Sequence, residues 1–247
     1  MDLYGLIGYP LGHSFSAQFF NEKFSREGID ASYRSFELED IGELMELLAE
    51  LPELKGLNVT IPYKEQILPY LTWISPEASL IGAVNTVKII HDEEGNVTAL
   101  EGYNTDAPAF ARTLAPLLPP KAISALVLGT GGASKAVCAA LSALGVEYKL
   151  VSRTPDAGQL GYDHLTPEIM AANKLIVNTT PLGMSPKTEA CPPIPYDELT
   201  GEHLCYDLIY NPETTLFMSR AAEQGATVKN GLDMLHLQAL LAWNIWH

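Results

Sequence analysis

The hexad Gly129-Thr130-Gly131-Gly132-Ala133-Ser134 concentrates glycine and small residues where an apolar run ends and a helical pattern begins. A turn of that kind lets backbone amides approach a pyrophosphate, which then rests on the positive end of the following helix. Without a ligand it is only a glycine-rich turn. The next apolar run ends in Val151-Ser152-Arg153-Thr154. An Asp or Glu there would grip a ribose 2′-hydroxyl. The planar guanidinium of Arg153 instead suits a 2′-phosphate, with the hydroxyls of Ser152 and Thr154 beside it. The plainer alternative for Arg153 is an exposed surface cation.

A second group of residues lies in the first hundred or so positions. Ser14 and Ser16 stand at the start of a helical pattern. Free amides and two hydroxyls there suit a carboxylate, or one serine simply caps the helix. Asn58 and Thr60 end a predicted strand, and Lys64 falls in the first turn of the helix behind it, where a cation opposes the helix dipole. Such a local conflict marks either a functional residue or a solvated lysine. Asn85 sits in Gly82-Ala83-Val84-Asn85-Thr86 at a strand start. Asp106, at the end of Gly102-Tyr103-Asn104-Thr105-Asp106, either caps the next helix or supplies a carboxylate. Polar turns at 178–184 and 207–212 end two later strands in the same manner.

These residues need elements to hold them. Periodicity predicts a strand at 3–8, a helix at 16–27, a strand at 32–38, a helix at 40–51 opened by an acidic cap, and a strand at 54–60. A helix introduced by Pro62 follows, running to about Leu71, and then a hairpin of 82–90 and 97–100 about the turn 92–96. After a helix at 106–118 and the breaker Pro119-Pro120, residues 125–153 form a βαβ unit. Strands at 174–178, 204–209 and 226–229, a helix at 214–224 and a closing helix at 232–246 complete the pattern. The expected fold is α/β: an N-terminal α/β domain over 1–105, completed by 232–247, and a dinucleotide-binding domain of Rossmann type over 106–231.

Composition narrows the classes further. The 247 residues suffice for two modest cores, and 47% apolar with 18% charged residues describes a packed chain. A net charge of −15 repels nucleic acid, so an anionic ligand must be held by local groups. Cys138, Cys191 and Cys205 form no C-x-x-C pair, which predicts reduced thiols and a cytoplasmic setting. No metal-ligand spacing, signal segment or membrane span is expected.

Taken together, Gly8-Tyr9-Pro10, His13-Ser14-Phe15-Ser16, NVTIPYK, GAVNT, GYNTD, GTGGAS, SRT, NTTPLGM, DLIYNP and NGLDMLHLQ, in that order, resemble the shikimate dehydrogenases over most of the chain. The resemblance implies NADPH-dependent reduction of 3-dehydroshikimate to shikimate, in a cleft between the domains. It implies that Ser14 and Ser16 bind the substrate carboxylate, with Thr60, Asn85, Tyr210 and Gln238 around the ring and Asn58 behind them. Lys64 and Asp106 become the catalytic pair, also touching substrate. Gly129, Thr130, Gly131, Gly132, Ala133, Ser152, Arg153, Thr154, Leu208 and Gly231 line the NADP site. No nucleic acid or membrane partner is implied, and the chain is expected as a monomer or homodimer.

Departures from the family pattern are Ala17 and Phe20 behind the second serine, Thr130 and Ser134 in the glycine turn, and the absence of any Lys or Arg between Arg153 and Lys174. The last implies a missing second basic clamp and a missing crossover helix. Three rivals stand beside the main reading. They are a quinate/shikimate dehydrogenase that tolerates NAD, a non-catalytic NADP-binding sensor, and a methylene-tetrahydrofolate-type dehydrogenase, which would not need the two-serine site.

Overall fold

A computed structural model describes residues 1–12 and 15–247. The chain divides into two compact units, residues 1–105 with 239–247, and residues 106–238.

In the first unit, β1 (Asp2–Gly8) leads to α1 (Phe15–Glu27), β2 (Ala31–Glu37), α2 (Leu44–Glu50) and β3 (Leu54–Val59). Short elements follow: α3 (Tyr63–Gln66), β4 (Trp73–Ile74) and α4 (Pro76–Ile81). The hairpin β5 (Thr86–His91) and β6 (Val97–Tyr103) completes a sheet of order β2-β1-β3-β5-β6-β4. β1 pairs in parallel with β2 and β3, whereas β5 runs antiparallel to β3 and β6. Asp40 caps the turn ahead of α2 with a full capping box, the acidic cap expected there.

The helix predicted from Pro62 to Leu71 is shorter than expected. Only Tyr63–Gln66 is α-helical, and a 3₁₀ turn, Leu68–Tyr70, follows with Pro69 inside it. A proline removes the N–H that the helix would need to continue. This also corrects the dipole reading of Lys64. A four-residue helix aligns too few peptides to set a strong field against its ammonium.

One face of the first sheet buries Leu3, Ile7, Leu54, Leu57, Val87 and Leu100 against Leu44 and Leu48 of α2. The other face is aromatic: Tyr4, Phe20, Phe24 and Tyr33 pack with Ala239, Ala242 and Trp246 from the end of the chain. Trp246 lies over Gly56, where an added Cβ would come within 2.3 Å of its indole nitrogen. That nitrogen donates to the Val87 carbonyl at 2.9 Å.

The second unit opens with α5 (Asp106–Leu114), β7 (Ser124–Leu128), α6 (Gly132–Ala143) and β8 (Glu147–Ser152). It continues through β9 (Leu160–Gly161), α7 (Pro167–Ala172), β10 (Leu175–Asn178), β11 (Leu204–Asp207), α8 (Leu216–Glu223), β12 (Thr227–Lys229) and the start of α9 (Leu232–Trp246), whose residues from 239 on belong to the first unit. The six strands are all parallel in the order β12-β11-β10-β7-β8-β9. β7, β10 and β11 are almost wholly buried, as helices on both faces require. The crossover helix expected to be missing is present in reduced form: α7 has six residues, with Pro167 in its first turn and Thr166 as its N-cap.

Candidate active site

In the first unit the sequence-predicted residues gather at one end of the sheet through a buried hydrogen-bond network. Asn58 is the penultimate residue of β3 and is 4% exposed. Its side-chain oxygen accepts from the Tyr33 hydroxyl at 2.7 Å, and its amide nitrogen donates to the Asn85 carbonyl and to Thr86 Oγ1, both at 3.3 Å. Ser16 is buried in α1 and lies close enough to the Tyr33 hydroxyl to offset part of the upward shift that burial gives that phenol. Asn85 Oδ1 accepts the Thr105 amide at 2.7 Å, and its Nδ2 donates to Thr105 Oγ1 at 2.9 Å. Such a network is stable in a buried place because nearly every polar atom is paired.

The segment 83–86 is the hub. The Val84 amide donates to the Lys64 carbonyl at 2.8 Å, the Asn85 amide to the Tyr103 carbonyl at 3.0 Å, and Asn104 Nδ2 to the Ala83 carbonyl at 2.9 Å. Lys64 and the segment before Asp106 are therefore both anchored to it. Lys64 is half-buried in α3, Thr60 is half-buried at the end of β3, and Asp106 is buried as the first residue of α5. Asn85 is committed largely inward, which leaves little of its amide for a ligand. Ser14 lies outside the described residues. Sequence reasoning missed Tyr33, whose place in a strand pattern resembles an ordinary core aromatic. It also assigned no role to Thr86 and Thr105, although both lie inside motifs that it singled out.

In the second unit the strand order reverses between β7 and β10, the place where open α/β sheets leave a crevice for ligands. The loops after these strands meet there. Gly129 has φ +111°, and an added Cβ would come within 2.7 Å of Thr179 Oγ1. Gly131 caps α6 with no side chain bonded to the helix start and no acidic residue in the first turn, and a Cβ on it would enter open space. Uncapped amides above an open volume fit a dinucleotide phosphate. Gly231 is forced by crowding instead, since a Cβ would come within 2.0 Å of the Leu208 carbonyl oxygen.

Ser152 ends β8 and accepts the Thr154 amide at 3.2 Å, while Arg153 and Thr154 are exposed. Arg153 lies near enough to the half-buried Tyr162 for its charge to offset part of the upward shift that burial gives that phenol. Tyr210 is half-buried and its phenol too is raised by burial. Gln238 is buried in α9, its amide donating to the Leu235 carbonyl at 3.0 Å.

Beneath the Leu208–Tyr210 turn sits the fully buried Asp207. It accepts from Thr215 at 2.6 Å, from Asn178 at 3.0 Å and from the Ile209 amide at 3.1 Å. Burial pushes its carboxyl up to about 6, these hydrogen bonds pulling the other way.

A cavity of 380 Å³ between α2 and the β5–β6 turn, lined by Met45, Leu48 and Val97, lies at the opposite end of the first sheet's strands and holds none of these residues. Among the described residues no His, Cys, Asp and Glu group could hold a metal, and no helix is long and apolar enough to cross a membrane. The three cysteines are free, and burial raises Cys138 to about 11 and Cys205 to about 12.

The model of the shikimate dehydrogenase substrate binding domain matches residues 6–87. The shikimate dehydrogenase (NADP(+)) of Carboxydothermus hydrogenoformans is 38% identical over 261 residues, covering 99% of this chain and 91% of that protein. The chain belongs to the shikimate dehydrogenase family. The crystal structure of shikimate dehydrogenase from Aquifex aeolicus matches with a TM-score of 0.86 at 36% identity, covering 100% of this chain and 92% of that one. The enzyme from Thermus thermophilus, in complex with NADP(H) and shikimate, matches at 0.85 and 35% identity, covering 100% and 93%. Within this family, the unusual Phe20 is accounted for by packing: it is fully buried and stacked on Tyr33, with ring centroids 4.7 Å apart.

Proposed function

We propose that the chain is a shikimate dehydrogenase that reduces the ring ketone of 3-dehydroshikimate, with NADP as cofactor and Lys64 and Asp106 as the catalytic pair. The observation that carries this reading is the buried network that joins Asn58, Asn85 and the residue before Asp106 within one unit, at the strand end expected for a ligand. Near-full-length similarity to NADP-dependent relatives supports it.

Ser14 and Ser16 would hold the substrate carboxylate, with Thr60, Tyr210 and Gln238 directed at the ring and Asn58 and Asn85 bracing them. Gly129 to Ala133, Ser152 to Thr154, Leu208 and Gly231 would hold NADP, whose reduced form supplies the hydride when bound. Lys64 presents an ammonium to the ketone oxygen, stabilising the charge that develops there and supplying its proton. Asp106 would hold that lysine in place or share in the proton relay. Residues 1–105 serve as the substrate domain and the glycine-turn unit as the cofactor domain. The free thiols support a reducing, cytoplasmic setting. Turnover with shikimate and quinate, each with NADP and NAD, tests the assignment. The highest kcat/KM is expected for shikimate with NADP, and a preference for quinate or NAD would overturn it.

A further inference from the structure

Three turns of the second unit, after β7, β10 and β11, are tied each to the next by hydrogen bonds. The Leu128 carbonyl accepts from the Thr179 amide at 3.0 Å and from its hydroxyl at 2.7 Å, which joins the glycine turn to the turn after β10. Asn178 and Asp207 make the second join. Asn178 Nδ2 donates to Asp207 Oδ1 at 3.0 Å, and the Leu208 amide donates to the Asn178 carbonyl at 3.0 Å.

The direction of the side-chain join follows from its neighbours. The Thr180 amide can only donate, and it donates to Asn178 Oδ1 at 3.0 Å, with the Thr180 hydroxyl on the same oxygen at 2.7 Å. Asn178 therefore turns Nδ2 to Asp207. The Asp207 carboxylate also accepts the Ile209 amide on Oδ1 at 3.1 Å and the Thr215 hydroxyl on Oδ2 at 2.6 Å. Thr215 in turn caps α8. Three donors thus converge on Asp207, from the turn after β10, from its own turn and from the start of α8, and an ionised carboxylate offers acceptors alone. Asp207, Asn178 and Thr215 are all 0% exposed, so water does not compete for these bonds.

The strand order says which part of the cofactor these turns face. With the 2′-phosphate on Arg153, the adenosine half of NADP lies over β8, and the pyrophosphate rests on the start of α6 behind β7. β11 is three strand spacings from β8, about 14 Å, on the far side of the reversal. The half that carries the hydride then falls over β10 and β11, where the turn Leu208–Tyr210 begins.

We propose that Asp207 is a positioning residue for hydride transfer: it fixes the Leu208–Tyr210 turn against the turn after β10, so that the surface under the reactive half of the cofactor is set before ligands arrive. This rests on the reading that Arg153 and the glycine turn hold NADP and that Leu208 lines its site. Asp207 itself touches neither cofactor nor substrate in this role. Without its bonds the turn can shift, and a displacement of about 1 Å at the reacting atoms costs about a hundredfold in rate.

Steady-state oxidation of shikimate by NADP tests this in Asp207→Ala and Asp207→Asn, together with titration of adenosine 2′,5′-bisphosphate, the part of NADP that carries the 2′-phosphate and lacks the nicotinamide. Asp207→Ala is expected to lower kcat about tenfold or more, with the bisphosphate Kd within about twofold of wild type. Asp207→Asn should keep kcat within about threefold of wild type, because its Oδ1 retains Asn178 and Ile209 and its amide can donate to the Thr215 oxygen. An Asp207→Ala enzyme that melts at a lower temperature but keeps its kcat overturns the proposal, since the residue is then a brace for the fold alone. A bisphosphate Kd that rises as far as kcat falls also overturns it, as does an Asp207→Asn enzyme as slow as Asp207→Ala, which would make charge rather than position decisive. If wild type neither oxidises shikimate with NADP nor binds the bisphosphate, the cofactor reading has failed and this proposal falls with it. If wild type does both and Asp207→Ala keeps its kcat, only the proposal fails. Should Asp207→Ala not fold, Asn178→Ala breaks the side-chain join between the two turns and leaves the α8 cap in place. A fall in kcat of about tenfold at unchanged bisphosphate Kd is then expected, and an unchanged kcat overturns the proposal.

Discussion

Lys64 and Arg153 carry the two charges on which the proposed reaction depends, and each can be removed separately. Lys64→Ala is expected to lower kcat a hundredfold or more, since groups that stabilise a developing oxyanion commonly contribute that much. Its NADP affinity, measured by fluorescence titration, should stay within twofold, because the proposed phosphate contacts lie elsewhere in the sequence. A loss below tenfold would remove Lys64 as the main electrostatic catalyst. Arg153 is exposed and has no Lys or Arg after it until Lys174, so in the proposed site one guanidinium would serve the 2′-phosphate on that segment. A charge-assisted hydrogen bond contributes about 1.5 to 3 kcal/mol, so Arg153→Ala should weaken NADP by about ten- to a hundredfold and leave NAD nearly unchanged. Equal weakening of both would show that Arg153 is no phosphate clamp. At this scale the sequence disclosed the groups that carry charge or an unusual hydroxyl. It did not disclose Tyr33, because a buried aromatic on a strand looks the same whether or not its hydroxyl is employed.

The glycine turn and its helix set up a contrast between two glycines of the proposed phosphate site. At Gly131 a methyl would meet nothing within 4 Å, and at Gly129 it would meet Thr179 with the backbone at φ +111°. Gly131→Ala should therefore keep the wild-type melting temperature within about two degrees while weakening NADP more than tenfold, since the added carbon occupies the ligand's own space. Gly129→Ala should lose both stability and binding, through backbone strain. Calorimetric melts and cofactor titrations of the two variants separate these outcomes. An NADP affinity unchanged in Gly131→Ala would move the pyrophosphate off this turn. Elements with strong periodicity, such as the strand before this turn and the closing helix, were legible because their patterns run for several residues. β4 and α4 were not, since a two-residue strand and a six-residue helix hold too little pattern to read. The stretch 154–173 misled for a related reason: its Asp, Gly and Pro content conceals a helix of six residues.

For the molecule as a whole, Asp207 ties pH to stability. Its carboxyl is raised from 3.8 to about 6 in the folded state, so the folded chain binds that proton more tightly than the unfolded one. Its contribution is greatest at acid pH and is lost as pH rises through the window from about 4 to 6, by about 3 kcal/mol. Asp207→Asn is always neutral, so it should gain about that much on the wild type between pH 4 and pH 7 in urea melts. A constant difference across that range would mean that the buried carboxyl does not titrate there. Both layered sheets could be foreseen from the alternation of strands and helices. The division of α9 could not, because nothing in an apolar helical repeat announces that residues 232–238 group with one unit and 239–247 with the other. That division has a consequence during synthesis. The aromatic face of the first unit is closed by Ala239, Ala242 and Trp246, which leave the ribosome only after every residue of the second unit. The earlier-made sheet therefore gains the indole that covers Gly56 only after the whole glycine-turn unit, which ends at residue 238, has been translated.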